Sequence, residues 1–260
     1  MSGPHYEVYA IKYAHHERRA SENFIGGDPH DGPMPLDYFV WLVRGEGREL
    51  VVDTGFSKAV ALRRQRHHIR CPAEGLGRLN VDATEVKDVV ITHLHYDHVG
   101  NFDLFPAATF HLQDREMQYA TGRHMAQPVF GGAFDVEDVV GMVRNSYAGR
   151  VRFHDGDAEI APGLSLHYVG GHTMGLQVVR VATRRGYVVL ASDASHFYAN
   201  MEQVRPFPIV FNVAQMVEGY ARLRALADSP AHIIPGHDPL VLERYPAPTA
   251  SLEGIVARLD

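Results

Sequence analysis

Four side chains able to bind a metal lie close together in the segment Thr92-His93-Leu94-His95-Tyr96-Asp97-His98. Side chains alternate along an extended segment, so His93 and His95 project on the same side. A turn after them brings Asp97 and His98 round to a neighbouring point. These are more donors than one tetrahedral ion with an open position takes from so local a segment. The spacing therefore favours two ions held close together and completed by ligands from elsewhere in the chain.

The remaining ligands should be histidines or aspartates in loops that directly follow β-strands, on the same rim as the first segment. Three sites satisfy this condition, namely Gly170-Gly171-His172-Thr173 after a predicted strand at 164–169, Ser192-Asp193 after one at 187–191, and Pro235-Gly236-His237-Asp238 after one at 231–234. Two ions that share a water lower its pKa enough to supply hydroxide at neutral pH, and they polarise a carbonyl oxygen. The donors therefore predict hydrolysis of an ester, lactone, thioester or phosphodiester. Because all donors are nitrogen or oxygen, zinc is favoured, with iron, manganese and cobalt as alternatives.

The elements that must position these residues alternate between short apolar strands and helical patterns. Further strands are predicted at 6–13, 38–43, 49–52, 88–92, 109–112, 151–154 and 177–183, and helices at 57–70, 114–121, 136–147 and 213–226. The last helix has apolar residues at helical spacing and Asn212 as its N-cap. A long polar segment at 15–37 is predicted to be a functional or mobile loop. Strands dominate both halves, which favours α/β layers around two sheets over a doubly wound parallel sheet.

Composition narrows the class of protein and of partner. The 260 residues include 17 histidines and one cysteine, so neither an internal disulfide nor a thiolate-rich metal site can form. The formal net charge of −6 argues against a protein that binds the phosphates of a nucleic acid. No apolar run approaches the roughly 18 residues that a membrane span requires, and residues 1–10 lack a signal-peptide pattern. We expect a cytoplasmic protein whose partner is a small molecule, without nucleic acid or membrane contact.

One local cluster of positive charge contains Arg63, Arg64, Arg66 and Arg70. The cluster falls within the helix predicted at 57–70. We interpret it as the solvated face of that helix, and an anion-binding site is the alternative.

Taken together, these motifs resemble the metallo-β-lactamase superfamily over essentially the whole chain, from Asp53-Thr54-Gly55 to His237. The resemblance implies a single domain over residues 1–260 with a four-layer αβ/βα sandwich fold. It also implies two metal ions, the first held by His93, His95 and His172 and the second by Asp97, His98 and His237. Asp193 would bridge the ions together with a hydroxide, and Asp53 would orient a ligand histidine through its ring N–H.

The N-acyl-homoserine lactonase group is the branch that the sequence resembles most. The antibiotic-hydrolysing branch has a cysteine where this chain has Asp193, and Cys71 lies in no such motif. The similarity to the lactonases rests on His-Leu-His-Tyr-Asp-His-Val-Gly at 93–100, Gly-His-Thr-x-Gly at 171–175, Ser-Asp-Ala-Ser at 192–195 and Ile-Pro-Gly-His-Asp at 234–238. It implies opening of a lactone ring by a metal-bridging hydroxide, as in quorum quenching, and a homodimer.

The chain departs from the lactonase pattern at one position that bears on catalysis. The lactonases have a tyrosine three residues after the bridging aspartate, where this chain has His196, followed by Phe197 and Tyr198. Either His196 takes over the role of that tyrosine, or Tyr198 reaches in from a shifted loop. We therefore predict four catalytic residues, namely Asp97, Asp193, His196 and Tyr198. An N-acyl-homoserine lactone and another small lactone fit the sequence about equally.

Other functions stay open beside lactone opening. They are hydrolysis of another ester or thioester on the same fold, oxidation of persulfides by a single iron, and metal binding without catalysis. Metal analysis separates persulfide oxidation from the other functions, because persulfide oxidation requires one iron per chain. Apolar residues of the 15–37 segment, the 125–134 segment, Phe197 and Phe207 are expected either to wall a substrate pocket over the metals or to belong to the core.

Overall fold

The fold consists of two β-sheets packed face to face. The structure is a computed structural model that describes residues 3–260. In chain order the strands are β1 (Glu7–His16), β2 (Leu36–Gly45), β3 (Arg48–Val52), β4 (His67–His68), β5 (Asp88–Val90), β6 (Thr109–Gln113), β7 (Val151–His154), β8 (Ala158–Ala161), β9 (Leu164–Tyr168), β10 (Gln177–Thr183), β11 (Gly186–Ser192), β12 (Ile233–Pro235) and β13 (Val256–Arg258). The larger sheet has eight strands in the order β13-β1-β2-β3-β5-β6-β7, with β4 paired to β1. The smaller sheet has five, in the order β12-β11-β10-β9-β8.

Helices occupy the segments between these strands. They are α1 (Lys58–Arg64), α2 (Pro72–Gly77), α3 (Tyr96–Val99), α4 (Asp114–Ala120), α5 (Pro128–Gly131), α6 (Val136–Tyr147), α7 (Tyr198–Glu202), α8 (Val213–Leu226) and α9 (Leu240–Arg244). Asn212 caps α8 as predicted, because its side chain accepts a hydrogen bond from the Gln215 amide at 3.1 Å. Within residues 3–260, no helix combines the length and the apolar character needed to cross a bilayer.

Strand β2 shows why both faces of the larger sheet are covered. Its successive side chains alternate between two separate cores. Phe39 and Trp41 belong to a core that also contains residues of the smaller sheet and Tyr220 of α8. Val40 and Leu42 pack on the opposite face of the larger sheet, in a core shared with helices such as α6. The order of layers is therefore helix, sheet, sheet, helix, and the predicted four-layer αβ/βα sandwich is confirmed.

Several predicted elements differ from the structure. The helix predicted at 57–70 is wrong beyond Arg64, because Gln65 adopts a left-handed conformation with φ of 56° and ends α1. The chain then forms β4, which pairs with the end of β1. The arginine cluster therefore does not lie on one helix face. The strands β4, β8 and β13 and the helices α2, α3, α5, α7 and α9 were not predicted.

The polar segment predicted as a loop at 15–37 is shorter than expected, since β1 continues to His16 and β2 begins at Leu36. Its own polar contacts hold it in place. Arg19 pairs with Asp31 at 2.7 Å, and the buried Asn23 side chain donates to the backbone carbonyl of Met34 at 2.8 Å.

Asp138, in the first turn of α6, is a buried carboxyl whose Oδ2 atom makes no hydrogen bond to the described residues. Burial, reinforced by Asp135, raises the pKa of Asp138 to about 7. When the pKa of a carboxyl is higher in the folded than in the unfolded state, the unfolding free energy of the protein falls as the pH rises between the two pKa values. We therefore expect Asp138→Asn to raise the unfolding free energy above pH 7 by on the order of 1–2 kcal/mol.

Thermal unfolding of the wild type and Asp138→Asn between pH 5 and pH 8 measures this effect. The stabilisation should grow with pH up to about 7 and then stay constant. Glu137→Gln changes an exposed carboxylate in the same helical turn and serves as the control. A stabilisation that is the same at both ends of the pH range would contradict a raised pKa for Asp138.

Candidate metal centre

The predicted ligands meet at one edge of the sandwich, where strands of both sheets end. The segment that contains His93 to His98 follows β5, whereas His172, Asp193 and His237 follow β9, β11 and β12. Because β11 and β12 are parallel neighbours, their carboxyl ends deliver Asp193 and His237 to the same place. Gly236 makes this approach feasible, since a Cβ atom there would lie 2.8 Å from Asp193 Oδ1.

The Asp193 carboxylate lies between two sets of imidazole nitrogens. Its Oδ2 atom is 3.1 Å from His172 Nε2 and 3.8 Å from His93 Nε2. Its Oδ1 atom is 3.0 Å from His237 Nε2 and 3.4 Å from His98 Nε2. Each carboxylate oxygen therefore faces a different pair of histidines.

Two groups of donors match the division implied by the family resemblance, and a third, overlapping group consists of Asp193, His196 and His237. The first consists of His93, His95, His172 and Asp193, and the second of Asp97, His98 and His237. The donor atoms within each group lie within 4.8 Å of one another. Asp97 Oδ2 completes the second group, at 3.7 Å from His98 Nε2 and 3.8 Å from His237 Nε2. The structure thus brings all seven predicted ligands together.

Backbone carbonyls fix the orientation of two of these histidines. His172 Nδ1 donates to the carbonyl of Ile209 at 2.7 Å, and His237 Nδ1 donates to the carbonyl of Asp37 at 2.9 Å. A carbonyl oxygen only accepts, so Nδ1 carries a proton, and in the neutral ring Nε2 presents its lone pair to the cluster. This arrangement of an anchored N–H and an inward lone pair is typical of metal-binding histidines.

Asp53 anchors a third histidine, as the resemblance implied. Its Oδ2 atom is 2.7 Å from His98 Nδ1, and its Oδ1 atom accepts a hydrogen bond from the Thr92 amide at 2.7 Å. Asp53 has a φ of 60°, and Ser192, beside Asp193, has a φ of 45°. Such left-handed conformations are strained for residues other than glycine and concentrate at functional sites. Both strained residues adjoin the cluster.

The residues present fit a divalent-metal centre. The buried atoms His93 Nε2, His98 Nε2 and Asp193 Oδ1 have no hydrogen-bond partner among the described residues, although buried polar atoms normally have one. Burial, together with neighbouring histidines, holds the pKa of His93 and His95 well below the ordinary range. Their rings are therefore neutral at physiological pH, which is the state that binds a metal.

Of the two candidates for the role of the lactonase tyrosine, the structure brings only His196 to the cluster. His196 Nε2 is 3.0 Å from Asp193 Oδ2, and the ring stacks on Phe207 with a centroid distance of 3.7 Å. Burial lowers the pKa of His196 to about 3, so the imidazole is neutral.

Tyr198 lies elsewhere, so the expectation that it reaches the cluster is wrong. Its amide donates to Asp238 Oδ2 at 2.9 Å at the start of α7, and its ring packs in the core under the Arg244 guanidinium at 3.8 Å. Burial raises the pKa of its hydroxyl, which has no hydrogen-bond partner among the described residues.

Sequence reasoning missed Glu116, a fully buried carboxylate on α4. Its Oε1 atom accepts a hydrogen bond from the Leu94 amide at 2.9 Å. Its Oε2 atom accepts from Thr173 Oγ1 at 2.7 Å and from the Gly175 amide at 2.9 Å. Glu116 therefore ties the loop of His93 and His95 to the loop of His172. Nothing in the local pattern of α4 distinguishes it from a surface glutamate.

A cavity of about 160 Å³ opens over the cluster. Among the residues expected to wall it, Phe207 and the 132–133 backbone do so, joined by Ile209. Phe24 and Phe197 belong to the core instead. Arg18, Arg64 and Arg66 also line this cavity.

Residues 34–237 of the chain match the family model of the metallo-beta-lactamase superfamily. The N-acyl homoserine lactonase AttM of Azorhizobium caulinodans is 29% identical over 168 residues, which span 62% of this chain and 61% of that protein. An N-acyl homoserine lactonase of Bacillus cereus is 25% identical over 190 residues, which span 67% and 70%.

Solved structures share the fold. A quorum-quenching N-acyl homoserine lactone lactonase is 22% identical, with a TM-score of 0.75 over 92% of this chain and 93% of that chain. AidC, a dizinc quorum-quenching lactonase, is 15% identical, with a TM-score of 0.69 over 91% and 89%. At these identities the likeness concerns the fold.

Proposed function

Because this chain belongs to the metallo-β-lactamase superfamily, we propose that it is a single-domain, dinuclear metal-dependent hydrolase that opens the ring of a small lactone. The observation that carries the proposal is the Asp193 carboxylate, whose two oxygens face different pairs of histidines. Two zinc ions suit this set of nitrogen and oxygen donors, with iron, manganese and cobalt as alternatives. The relatives named N-acyl homoserine lactonases support a lactone, either an N-acyl-homoserine lactone or another small one.

When bound, the metals supply Lewis acidity and a water activated at neutral pH. The two donor groups would hold the metals, with the Asp193 carboxylate between the groups. The negative charge of Asp193 and Asp97 would favour loss of a proton from the attacking water. The reaction adds water across the acyl–oxygen bond, so that the acyl carbon becomes a carboxylate and the ring oxygen leaves as a hydroxyl after it gains a proton.

His196 lies where it can orient the substrate. Its neutral ring faces the cavity and stacks on Phe207, and it carries one N–H donor and one acceptor nitrogen. We assign it the hydrogen bond to the lactone that a tyrosine provides in the similar lactonases. A pKa near 3 makes it a hydrogen-bonding group rather than a general base.

A proton-release assay over a panel of lactones, with protein loaded with zinc, manganese or cobalt, tests the proposal. We expect turnover of at least one lactone by protein with two ions per chain. His196→Ala should lower kcat/KM roughly 100-fold, as expected when a hydrogen bond to the transition state is lost. Tyr198→Phe removes only the unpartnered hydroxyl of a core residue and should match the wild type.

Three outcomes would contradict these assignments. Fully metallated protein that opens no lactone would overturn the proposed reaction. One iron per chain together with oxidation of a persulfide would favour the dioxygenase alternative. Full activity of His196→Ala with a defective Tyr198→Phe would reverse the roles assigned to these two residues.

A further inference from the structure

Three arginines line the cavity over the candidate metal centre without an acidic partner. They are Arg18, Arg64 and Arg66. Within residues 3–260, no carboxylate oxygen of an Asp or Glu lies within 4.0 Å of their guanidinium nitrogens. Their neighbours in the chain differ, since Arg19 pairs with Asp31 and Arg63 pairs with Asp135. Within these two pairs of chain neighbours, the arginine without an acidic partner is the one that lines the cavity.

Arg18 and Arg66 are held in place by neutral acceptors that leave their charge uncompensated. Arg66 Nε donates to the Tyr96 hydroxyl at 3.1 Å and its Nη1 to a backbone carbonyl at 2.7 Å. Arg18 Nε donates to Asn23 Oδ1 at 2.7 Å and its Nη2 to a backbone carbonyl at 2.6 Å. One terminal nitrogen of each, Nη2 of Arg66 and Nη1 of Arg18, makes no hydrogen bond to the part of the chain that the structure describes. Fixed guanidinium groups with a free donor are suited to bind an anion.

Arg64 has a different role in the same wall. Its two terminal nitrogens donate to the carbonyls of Gly132 and Phe134, at 3.0 and 2.9 Å, and its guanidinium stacks over Tyr96 at 4.0 Å. It therefore holds the 132–134 segment against Tyr96, the residue that orients Arg66. Arg64 is a positioning residue of this wall.

The electrostatic surroundings of the two arginines differ. Burial lowers the pKa of Arg18, whereas the pKa of Arg66 is raised against the effect of burial by Tyr38, Tyr96 and Asp97. Burial, with Arg66 and Arg18 nearby, lowers the pKa of His16 to about 4, so this half-buried histidine adds no charge. The acidic groups of the cavity are Asp97 and Asp193, which are already assigned as metal ligands.

The arginines also adjoin the residues that would contact a lactone. Arg18 lies over the ring of Phe207 at 5.1 Å, and Phe207 stacks on His196. Arg66 contacts Tyr96, whose hydroxyl is 3.3 Å from that of Tyr38 in the wall of the same cavity. A compact molecule can therefore reach the metal ligands and the guanidinium groups together.

We propose that Arg18 and Arg66 form an anion-binding subsite and that the lactone opened at this centre carries a carboxylate. This inference rests on the proposed lactone-opening function and specifies its substrate class. A neutral lactone offers the two free guanidinium donors only uncharged acceptors, whereas a carboxylate also compensates their positive charge. The cavity volume of about 160 Å³ favours a compact lactone over one with a long acyl chain.

A matched pair of substrates tests the subsite in metal-loaded protein. The pair is γ-butyrolactone-γ-carboxylate and its primary amide, which differ only in the charged group. We expect the wild type to prefer the carboxylate by roughly 100-fold in kcat/KM, the size of effect that a charge-assisted hydrogen bond gives. Arg18→Gln and Arg66→Gln should each lower that preference about 10-fold, mainly through KM. Each of these variants should lower kcat/KM less for the amide than for the carboxylate.

Two further variants serve as controls. Arg144→Gln removes one exposed positive charge from α6 and should leave the preference unchanged. Arg66→Lys keeps the charge without the guanidinium fork and should give an intermediate preference, which also separates a lost subsite from a misfolded protein.

Binding provides a readout that is independent of turnover. Calorimetric titration of the metal-free protein with α-hydroxyglutarate, the ring-opened product, and with γ-hydroxybutyrate, which lacks the second carboxylate, compares the two anions directly. The wild type should bind α-hydroxyglutarate more tightly than γ-hydroxybutyrate. Arg18→Gln and Arg66→Gln should each weaken the binding of α-hydroxyglutarate about 10-fold. Unchanged binding by both variants, or equal turnover of the carboxylate and the amide, would overturn the subsite. Arginine-dependent binding without opening of any lactone would support the subsite and refute the proposed function.

Discussion

Replacement of Asp193 by alanine is expected to lower kcat/KM for lactone opening roughly 10³-fold, because the variant loses the group assigned to hold two metals at a fixed separation. Its two oxygens lie 3.0 to 3.8 Å from nitrogens of four histidines that belong to different donor groups. The variant should also bind fewer metal ions per chain. Asp193→Asn keeps the shape of the side chain and one carbonyl oxygen but removes the charge. Its kcat/KM and its metal content should therefore lie between those of Asp193→Ala and the wild type.

Metal content by mass spectrometry and steady-state kinetics on the same samples measure both effects. Asp155→Ala removes an exposed aspartate at the turn between β7 and β8 and is the matched control. If Asp193→Ala keeps two ions and wild-type kinetics, the bridging role is wrong.

The parts of the fold that the sequence predicts well are those fixed by local patterns. The helix α6 begins and ends at the predicted residues, as does α8, which has both an apolar stripe and an N-cap. The hairpin of β2 and β3 follows from two β-rich runs around a glycine-containing turn. The helix at 57–70 was predicted too long because its end depends on Gln65 and on pairing of β4 with β1, a contact across the sheet.

The candidate site divides in the same way between local and long-range determinants. The clustering of the seven predicted ligands could be foreseen because they lie in segments that follow strands, and this local signal also indicates which edge of the fold they share. The direction of the Tyr198 side chain could not be predicted, because the Tyr198 amide donates a hydrogen bond to Asp238, 40 residues later in the chain. The arginine wall was interpreted as a solvated helix face, because nothing local shows that Arg64 and Arg66 turn toward the cavity once α1 ends.

Glu116 is the residue whose role depends most on distant contacts, and its replacement is the second large effect that we expect. Leu94, Thr173 and Gly175 all donate to its carboxylate. A glutamine has one carbonyl oxygen and an NH₂ group in place of two acceptors, so Glu116→Gln leaves at least one buried donor facing another donor. We expect the unfolding free energy to fall by about 2–4 kcal/mol, since each unsatisfied buried group is destabilising by about 1–3 kcal/mol.

The same substitution should weaken metal binding about 10- to 100-fold, because the loops of His93, His95 and His172 are no longer tied together. Denaturant unfolding of the metal-free protein and competition with a chelating dye measure the two effects separately. Asp114→Asn, on the same helix, controls for loss of a carboxylate that is only half-buried. If the role of Glu116 is purely structural, Glu116→Gln should lower the unfolding free energy and leave the metal affinity of the folded protein unchanged. A loss in both quantities would show that this carboxylate, which binds no metal itself, sets the distance between the loops that supply the first group of ligands.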